Sequence, residues 1–153
     1  VPGDVVQSVD SQGKTVYSEV FLTQHDSATK ATRMVQITHG NSTRPLTLTP
    51  NHYLRVPAAD EKYVKAGELK IGDHILVAGG TAGDMMQEVS VTRLTKMTGK
   101  PINVHTMNDR IVVDGVVASC LAANYYRGVD VSVLRPLLFP LKLMHRVGLR
   151  FLV

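Results

Sequence analysis

Leu46-Thr47-Leu48-Thr49-Pro50-Asn51-His52 reads as a short alternating strand that runs into a proline turn and ends on an imidazole. Leu46 and Leu48 alternate with Thr47 and Thr49, the two-residue period of a half-buried strand. Pro50 cannot donate to a sheet ladder, so the strand stops there. The turn then places a hydroxyl, Thr49, and an imidazole, His52, near one point. Such a pair can hold a peptide group by hydrogen bond and protonate a leaving nitrogen. Taken alone, the same residues also describe a Thr-Pro turn followed by an unrelated histidine. The rest of the chain has to decide between the two.

Outward from this stretch the pattern is β throughout the body. Strands are predicted over Val5–Val9, Thr15–Thr23, Arg33–Thr38, Leu46–Leu48, His52–Val56, His74–Ala78, Val89–Leu94 and Arg110–Val113, all rich in β-branched and apolar residues. Turn chemistry separates them at Asp10-Ser11-Gln12-Gly13, Gly40-Asn41, Gly79-Gly80, Thr98-Gly99 and Asn108-Asp109. Before residue 115 no apolar period lasts three helical turns; the one local candidate is a turn near Val64–Leu69. Val116–Ala123 is small and apolar and fits either a last strand or a buried helix start. The expected fold is therefore all-β, a compact disc or barrel. A faint repeat refines it. Gly3-Asp4 recurs as Gly72-Asp73, Glu19-Val20 as Glu88-Val89 and Thr23 as Thr92, all at an offset of 69 residues. The common offset points to two similar β-subdomains related by a pseudo-twofold axis.

Charge is distributed unevenly. The net charge of +4 falls wholly in residues 127–153, where Arg127, Arg135, Lys142, Arg146 and Arg150 face only Asp130. Residues 1–126 are balanced, which argues against a nucleic-acid face on the folded body. The single cysteine, Cys120, excludes an internal disulfide and leaves three readings: a buried small hydrophobe, a reactive thiol, or half of a bridge to a residue elsewhere. No histidines stand at ligand spacing, so neither a zinc site nor a cofactor is expected. Val1-Pro2-Gly3-Asp4 lacks the features of a signal peptide and reads as the interior of a longer chain. After Pro140 a helix is expected with Lys142, His145, Arg146 and Arg150 on one face; the run is too short and charged to span a bilayer.

Four ordered blocks carry a resemblance. Thr49-Pro50-Asn51-His52 is similar to the Thr-x-x-His block of Hint domains, the self-cleaving β-fold of Hedgehog C-terminal regions and inteins. Val1-Pro2-Gly3-Asp4-Val5-Val6 resembles the Pro-Gly-Asp-x-Val segment that follows the family's catalytic Cys by roughly twenty residues. Tyr17-Ser18-Glu19-Val20 leading to His25-Asp26 resembles the Hedgehog-type strand that ends in a catalytic acid. Val112-Val113-Asp114-Gly115-Val116-Val117-Ala118-Ser119-Cys120 resembles the closing block of Hedgehog autoprocessing domains, and no His-Asn pair of the intein type occurs. The resemblance implies a Hint disc over residues 1–126 and an apolar, basic, partly helical tail over 127–153.

It also implies an intramolecular reaction. A Cys at the domain's first position attacks the preceding carbonyl, and the resulting thioester is displaced by a sterol hydroxyl, water or another nucleophile. In this chain His52 would be the acid toward the leaving nitrogen, and Thr49 the hydroxyl that holds the scissile peptide. The family's base falls eight residues after the Tyr, which is His25; Asp26 is one further, and both stand as candidates. Cys120 matches the family's late Cys, which can pair with the nucleophile; core packing is the other reading. His105 receives no role. No residue among the first three can serve as the nucleophile, so the chain by itself is expected to be inactive. The implied partners are the chain's own upstream precursor segment, a sterol or other lipid, and a membrane surface reached through residues 127–153. The implied location is the secretory pathway or the cell exterior. The competing readings are a Hint-derived scaffold without catalysis and a membrane-associating β-domain.

Overall fold

The computed structural model describes residues 1–24, 30–40, 42, 44–122, 136 and 138–148. Eleven strands and one helix make up the described residues: β1 (Val5–Val9), β2 (Thr15–Gln24), β3 (Thr32–His39), β4 (Leu46–Leu48), β5 (His52–Val56), β6 (Lys62–Lys65), β7 (His74–Val77), β8 (Gln87–Gly99), β9 (Asn103–Thr106), β10 (Arg110–Val113), β11 (Val116–Ala122) and α1 (Phe139–Arg146). A single 3-10 turn, Ala66–Glu68, falls where the sequence suggested a turn. One sheet runs β1-β2-β9 and the other β4-β3-β8-β7-β11-β5-β6, with β10 on β11. Three strands escaped the sequence pattern or were left open by it. β6 and β9 are short and polar, while all seven residues of β11 are buried, leaving no alternation to read.

The duplication is visible in the hydrogen bonds. Gly3 N donates to Val20 O at 2.8 Å and Val20 N to Asp4 O at 2.8 Å; Gly72 N donates to Val91 O at 2.9 Å and Val91 N to Asp73 O at 2.8 Å. Both corner glycines are left-handed, at φ 98° and 93°, the conformation that only glycine adopts freely. Asp109 N to Thr106 O and Ser42 N to His39 O form a further matching pair. The Gly-Asp corners are thus equivalent, as their offset suggested. The Glu-Val and Thr matches are not: Val20 corresponds to Val91 and Phe21 to Thr92, because the β7–β8 hairpin is longer than the β1–β2 hairpin.

The halves are interleaved. β3 follows β2 in the chain but pairs with β8; β9 follows β8 but pairs with β2. Both cross-pairings carry a bulge at the matching place, around Phe21 in β2 and Thr92 in β8. The main core gathers Ile37, Leu46, Leu48, Leu54, Ala66, Leu69, Ile75, Val91, Val116 and Ala118 from both halves. Burial of this continuous apolar surface is the principal favourable term for folding.

The helix contradicts one expectation from sequence. Pro140 sits in its first turn, where its missing N–H costs nothing. Its cations, however, do not form a free outer face. Lys142 Nζ bonds Asp109 Oδ2 at 2.6 Å and His145 Nε2 meets Glu19 Oε1 at 2.8 Å, so both point into the disc. Leu138, just before the helix, packs against Leu121 alongside Tyr53. What faces solvent is Phe139, Leu143, Arg146 and Val147. The buried Asp109 carboxylate would be left uncompensated without a cation, and with the half-exposed Glu19 carboxylate it draws Lys142 and His145 inward, which reverses the face. Arg150 lies outside the described residues.

Candidate autoprocessing cleft

The turn at Thr49 is built by its neighbours. His52 N donates to Thr49 O at 3.1 Å, closing the turn, and Pro50 O accepts from Gly67 N at 2.8 Å. A Cβ on Gly67 would stand 2.9 Å from the Pro50 Cβ, so only glycine lets the 3-10 turn lie against the proline. With Pro50 pinned, Thr49 and His52 are presented side by side to a cleft of about 760 Å³. Its walls come from β3, β4, β9, β10 and β11, with Met34, Leu46, Leu48 and Ile111 as apolar floor and Thr49, His52 and Asn103 as polar groups.

His52 opens β5 opposite Ala122 of β11. Burial lowers its pKa below 6.5, and a hydrogen bond to the Ser119 backbone acts in the opposite direction. A lowered pKa leaves the imidazole neutral at neutral pH, able to take a proton and then release it readily.

Of the other candidate residues, Cys120 is fully buried and does not line the cleft. Its Sγ lies 3.3 Å from Thr106 Oγ1, and desolvation pushes the thiol up to about 11. A thiol so buried stays protonated and is a poor nucleophile. His25 and Asp26 lie outside the described residues.

Two polar residues of β9 to which the sequence reading gave no role stand beside the cleft. Asn103 lines the cleft, and its Nδ2 is 3.1 Å from Nε2 of His105. His105 is buried, packed against Phe21 with ring centroids 6.1 Å apart. Desolvation, then the charges of His52 and Lys142, depress its pKa to about 4. The stack continues outward: Phe21 meets His145 at 6.3 Å and Lys142 Nζ at 5.9 Å, so α1 closes the wall behind the cleft. The signal in the sequence was two polar residues two apart, Asn103 and His105, on one face of a short strand.

Comparison with known proteins places this geometry. The Hint module family model matches residues 1–148. The chain is 33% identical over 129 residues to Indian hedgehog protein of Gallus gallus, covering 79% of this chain and 31% of that protein. It is 32% identical over 124 residues to protein hedgehog of Drosophila hydei, covering 78% and 25%. The chain therefore spans about a third or less of the length of these relatives. Among solved structures, a variant of the Ssp DnaB mini-intein superposes with a TM-score of 0.64 at 12% identity, covering 76% of this chain and 75% of that one. The transcription factor IIB Mvu mini-intein gives 0.59 at 12%, covering 75% and 70%. At such identity these two show the fold alone. With the family model spanning nearly the whole chain and the Thr49–His52 turn set in an intein-like β-disc, this chain is a member of the Hint family, of the Hedgehog type.

Proposed function

We propose that this domain cleaves the precursor that carries it, by an N-to-S acyl shift followed by displacement of the thioester. The observation that carries the reading is the shared wall: Thr49 and His52, adjacent on one pinned turn, open onto a cleft large enough for a stretch of peptide. The nucleophile this reading requires is a thiol from sequence N-terminal to Val1. Neutral His52 takes the thiol proton as sulfur adds to the scissile carbonyl. The C–N bond then breaks and the same proton passes to the leaving nitrogen, which becomes an amine. Thr49 holds the peptide by its hydroxyl. A second nucleophile, a sterol hydroxyl or water, displaces the thiol and frees the upstream segment, with His25 or Asp26 as the base. By the same resemblance the domain works in the secretory pathway or outside the cell.

The test uses the precursor with its natural upstream sequence, incubated with dithiothreitol or hydroxylamine. Wild type should be cleaved, and His52→Ala should slow cleavage by about a hundredfold or more, the scale of a lost general acid-base group. Cleavage should also fade as pH falls through the depressed pKa of His52, below 6.5, because the protonated ring cannot accept the thiol proton. Undiminished cleavage in His52→Ala would sink the reading. Replacing dithiothreitol by sterol in the His25→Ala and Asp26→Ala precursors separates the two bases.

Contact with a lipid surface is a second reading, favoured by the outward face of α1. Phe139, Leu143 and Val147 are 62%, 49% and 65% exposed in one stripe, with Arg146 beside them. An apolar stripe flanked by a cation suits the interface of an anionic bilayer. Flotation with phosphatidylserine vesicles should lose the Phe139→Ser/Leu143→Ser protein; equal binding by that variant rejects the role of this face.

A further inference from the structure

Asn103 and His105 belong to no function described so far, yet they meet at the cleft. Both lie on one face of β9, whose register against β2 is fixed by Leu22 opposite His105 and Gln24 opposite Asn103. Asn103 reaches the cleft that Thr49 and His52 line; His105 sits behind it, 3% exposed. Phe21 clamps the His105 ring, and Phe21 is itself covered by His145 and Lys142 from α1. His105 thus has little freedom to move. An imidazole in such a place is a fixed reference for whatever it bonds.

We propose that Asn103 is a third substrate-binding group of the cleft and that His105 is its positioning residue: the imidazole Nε2 accepts from the Asn103 amide Nδ2, which fixes the orientation of the amide oxygen as an acceptor for the scissile peptide N–H. The inference rests on the autoprocessing reading above. The geometry has a chemical logic. An asparagine side chain has two faces, donor and acceptor, that are nearly equal in shape. Without a partner of defined polarity the amide flips freely between them. A neutral imidazole nitrogen with a lone pair accepts only from the NH₂ end and so selects one orientation. Burial supports this by holding His105 neutral across the physiological range. An amide oxygen has two lone pairs, so it can receive the peptide N–H whatever else it contacts. In the acyl shift, the thiol sulfur forms a bond to the carbonyl carbon and the C–N bond breaks. The nitrogen must then stand where His52 can deliver the thiol's proton. A hydrogen bond from the peptide N–H to Asn103 Oδ1 would hold it there from the start. Thr49, in the turn after β4, and Asn103, on β9, both line the cleft and would then grip the scissile group from two separate elements.

The experiment uses the full precursor with its natural upstream sequence and dithiothreitol as the nucleophile. Four variants are compared: His52→Ala, Asn103→Ala, His105→Leu and His105→Gln. Loss of one oriented hydrogen bond is expected to slow cleavage about tenfold in Asn103→Ala and in His105→Leu. His105→Gln should return to within about threefold of wild type, because its amide oxygen stands near the place of Nε2 and accepts the same N–H. Thermal melting of each variant accompanies the rates. The Leu and Gln replacements both remove the ring from its Phe21 contact, so a packing role alone would slow both alike. Rescue by Gln together with a slow Leu variant supports positioning. A Leu variant as fast as wild type, or Leu and Gln equally slow, overturns it while His52 retains its role. If His52→Ala is itself as fast as wild type, the autoprocessing reading falls first and this one with it.

Discussion

The β2–β9 half of the molecule and the β8–β3 half share a frame and part company at one position, the bulge. In both, the Gly-Asp corner, its hydrogen bonds and the bulged cross-pairing correspond. At the bulge, β8 carries Thr92, exposed, whose hydroxyl bonds Thr38 O at 3.2 Å. β2 carries Phe21, 5% exposed, pressed between His105 and the helix. The residue facing each bulge differs too: Thr38 in one half, His105 in the other. Duplication therefore supplied the scaffold twice, and the polar cleft wall arose where the tail covers one copy. Symmetry accounts for the backbone; the helix accounts for the difference.

That contrast is open to direct attack. Phe21→Ala should cost about 3–5 kcal/mol in urea unfolding, the usual range for a buried phenylalanine, whereas Thr92→Ala should stay within about 0.5 kcal/mol. Similar losses at both positions would mean that α1 does not distinguish the halves. A smaller effect comes from acid. His105 binds its proton near pH 4 when folded and near 6.5 when unfolded. Between those values the unfolded state holds more protons, so stability falls as pH drops from 6.5 towards 4 and levels off below. The contribution is on the order of 3 kcal/mol. His105→Leu should lose that much of the pH dependence relative to wild type, and the matching change Thr38→Leu should lose none. An unchanged acid profile in His105→Leu would refute the buried neutral imidazole. The smallest effect tests what the halves share. Gly3→Ala and Gly72→Ala should each cost about 1–2 kcal/mol, because no atom lies within 4 Å of either new Cβ and only the left-handed backbone is strained. A difference larger than about 1 kcal/mol between them would break the equivalence of the corners.

Much of this was readable in advance, for identifiable reasons. Half-buried strands such as Val5–Val9 and Leu46–Leu48 announce themselves by alternation between glycine and aspartate turns. The Thr49–His52 turn was legible because proline and two functional groups sit within four residues. β11 was ambiguous because a strand covered on both faces has no polar alternate. β9 was missed because its buried residues are polar, and their value lies in partners far along the chain: Thr106 with Cys120, His105 with Phe21. The repeat was half right for a similar reason. A Gly-Asp corner depends on local conformation and keeps its sequence, while the Glu-Val match carried no such constraint and was a coincidence of letters. The direction of the tail helix was unreadable, since a cation's preference for water or for Asp109 depends on where the helix docks.

The exchange of strands between the halves sets a schedule for synthesis. β2 pairs locally with β1 and β3 with β4, but the other edge of each needs a strand made much later: β2 waits for β9, and β3 for β8. A nascent chain that has left the ribosome only as far as the Thr49–His52 turn has a hydroxyl and an imidazole but no cleft, because β9, β10 and β11 are still to come. At typical elongation rates the delay is on the order of ten seconds. Long-range pairing of this kind is slow, because the entropy of closing the long loops is lost before the distant contacts reward it. The threading of the sheet therefore works as a translational delay line, keeping the Thr49–His52 cleft unassembled until the last strand has been made.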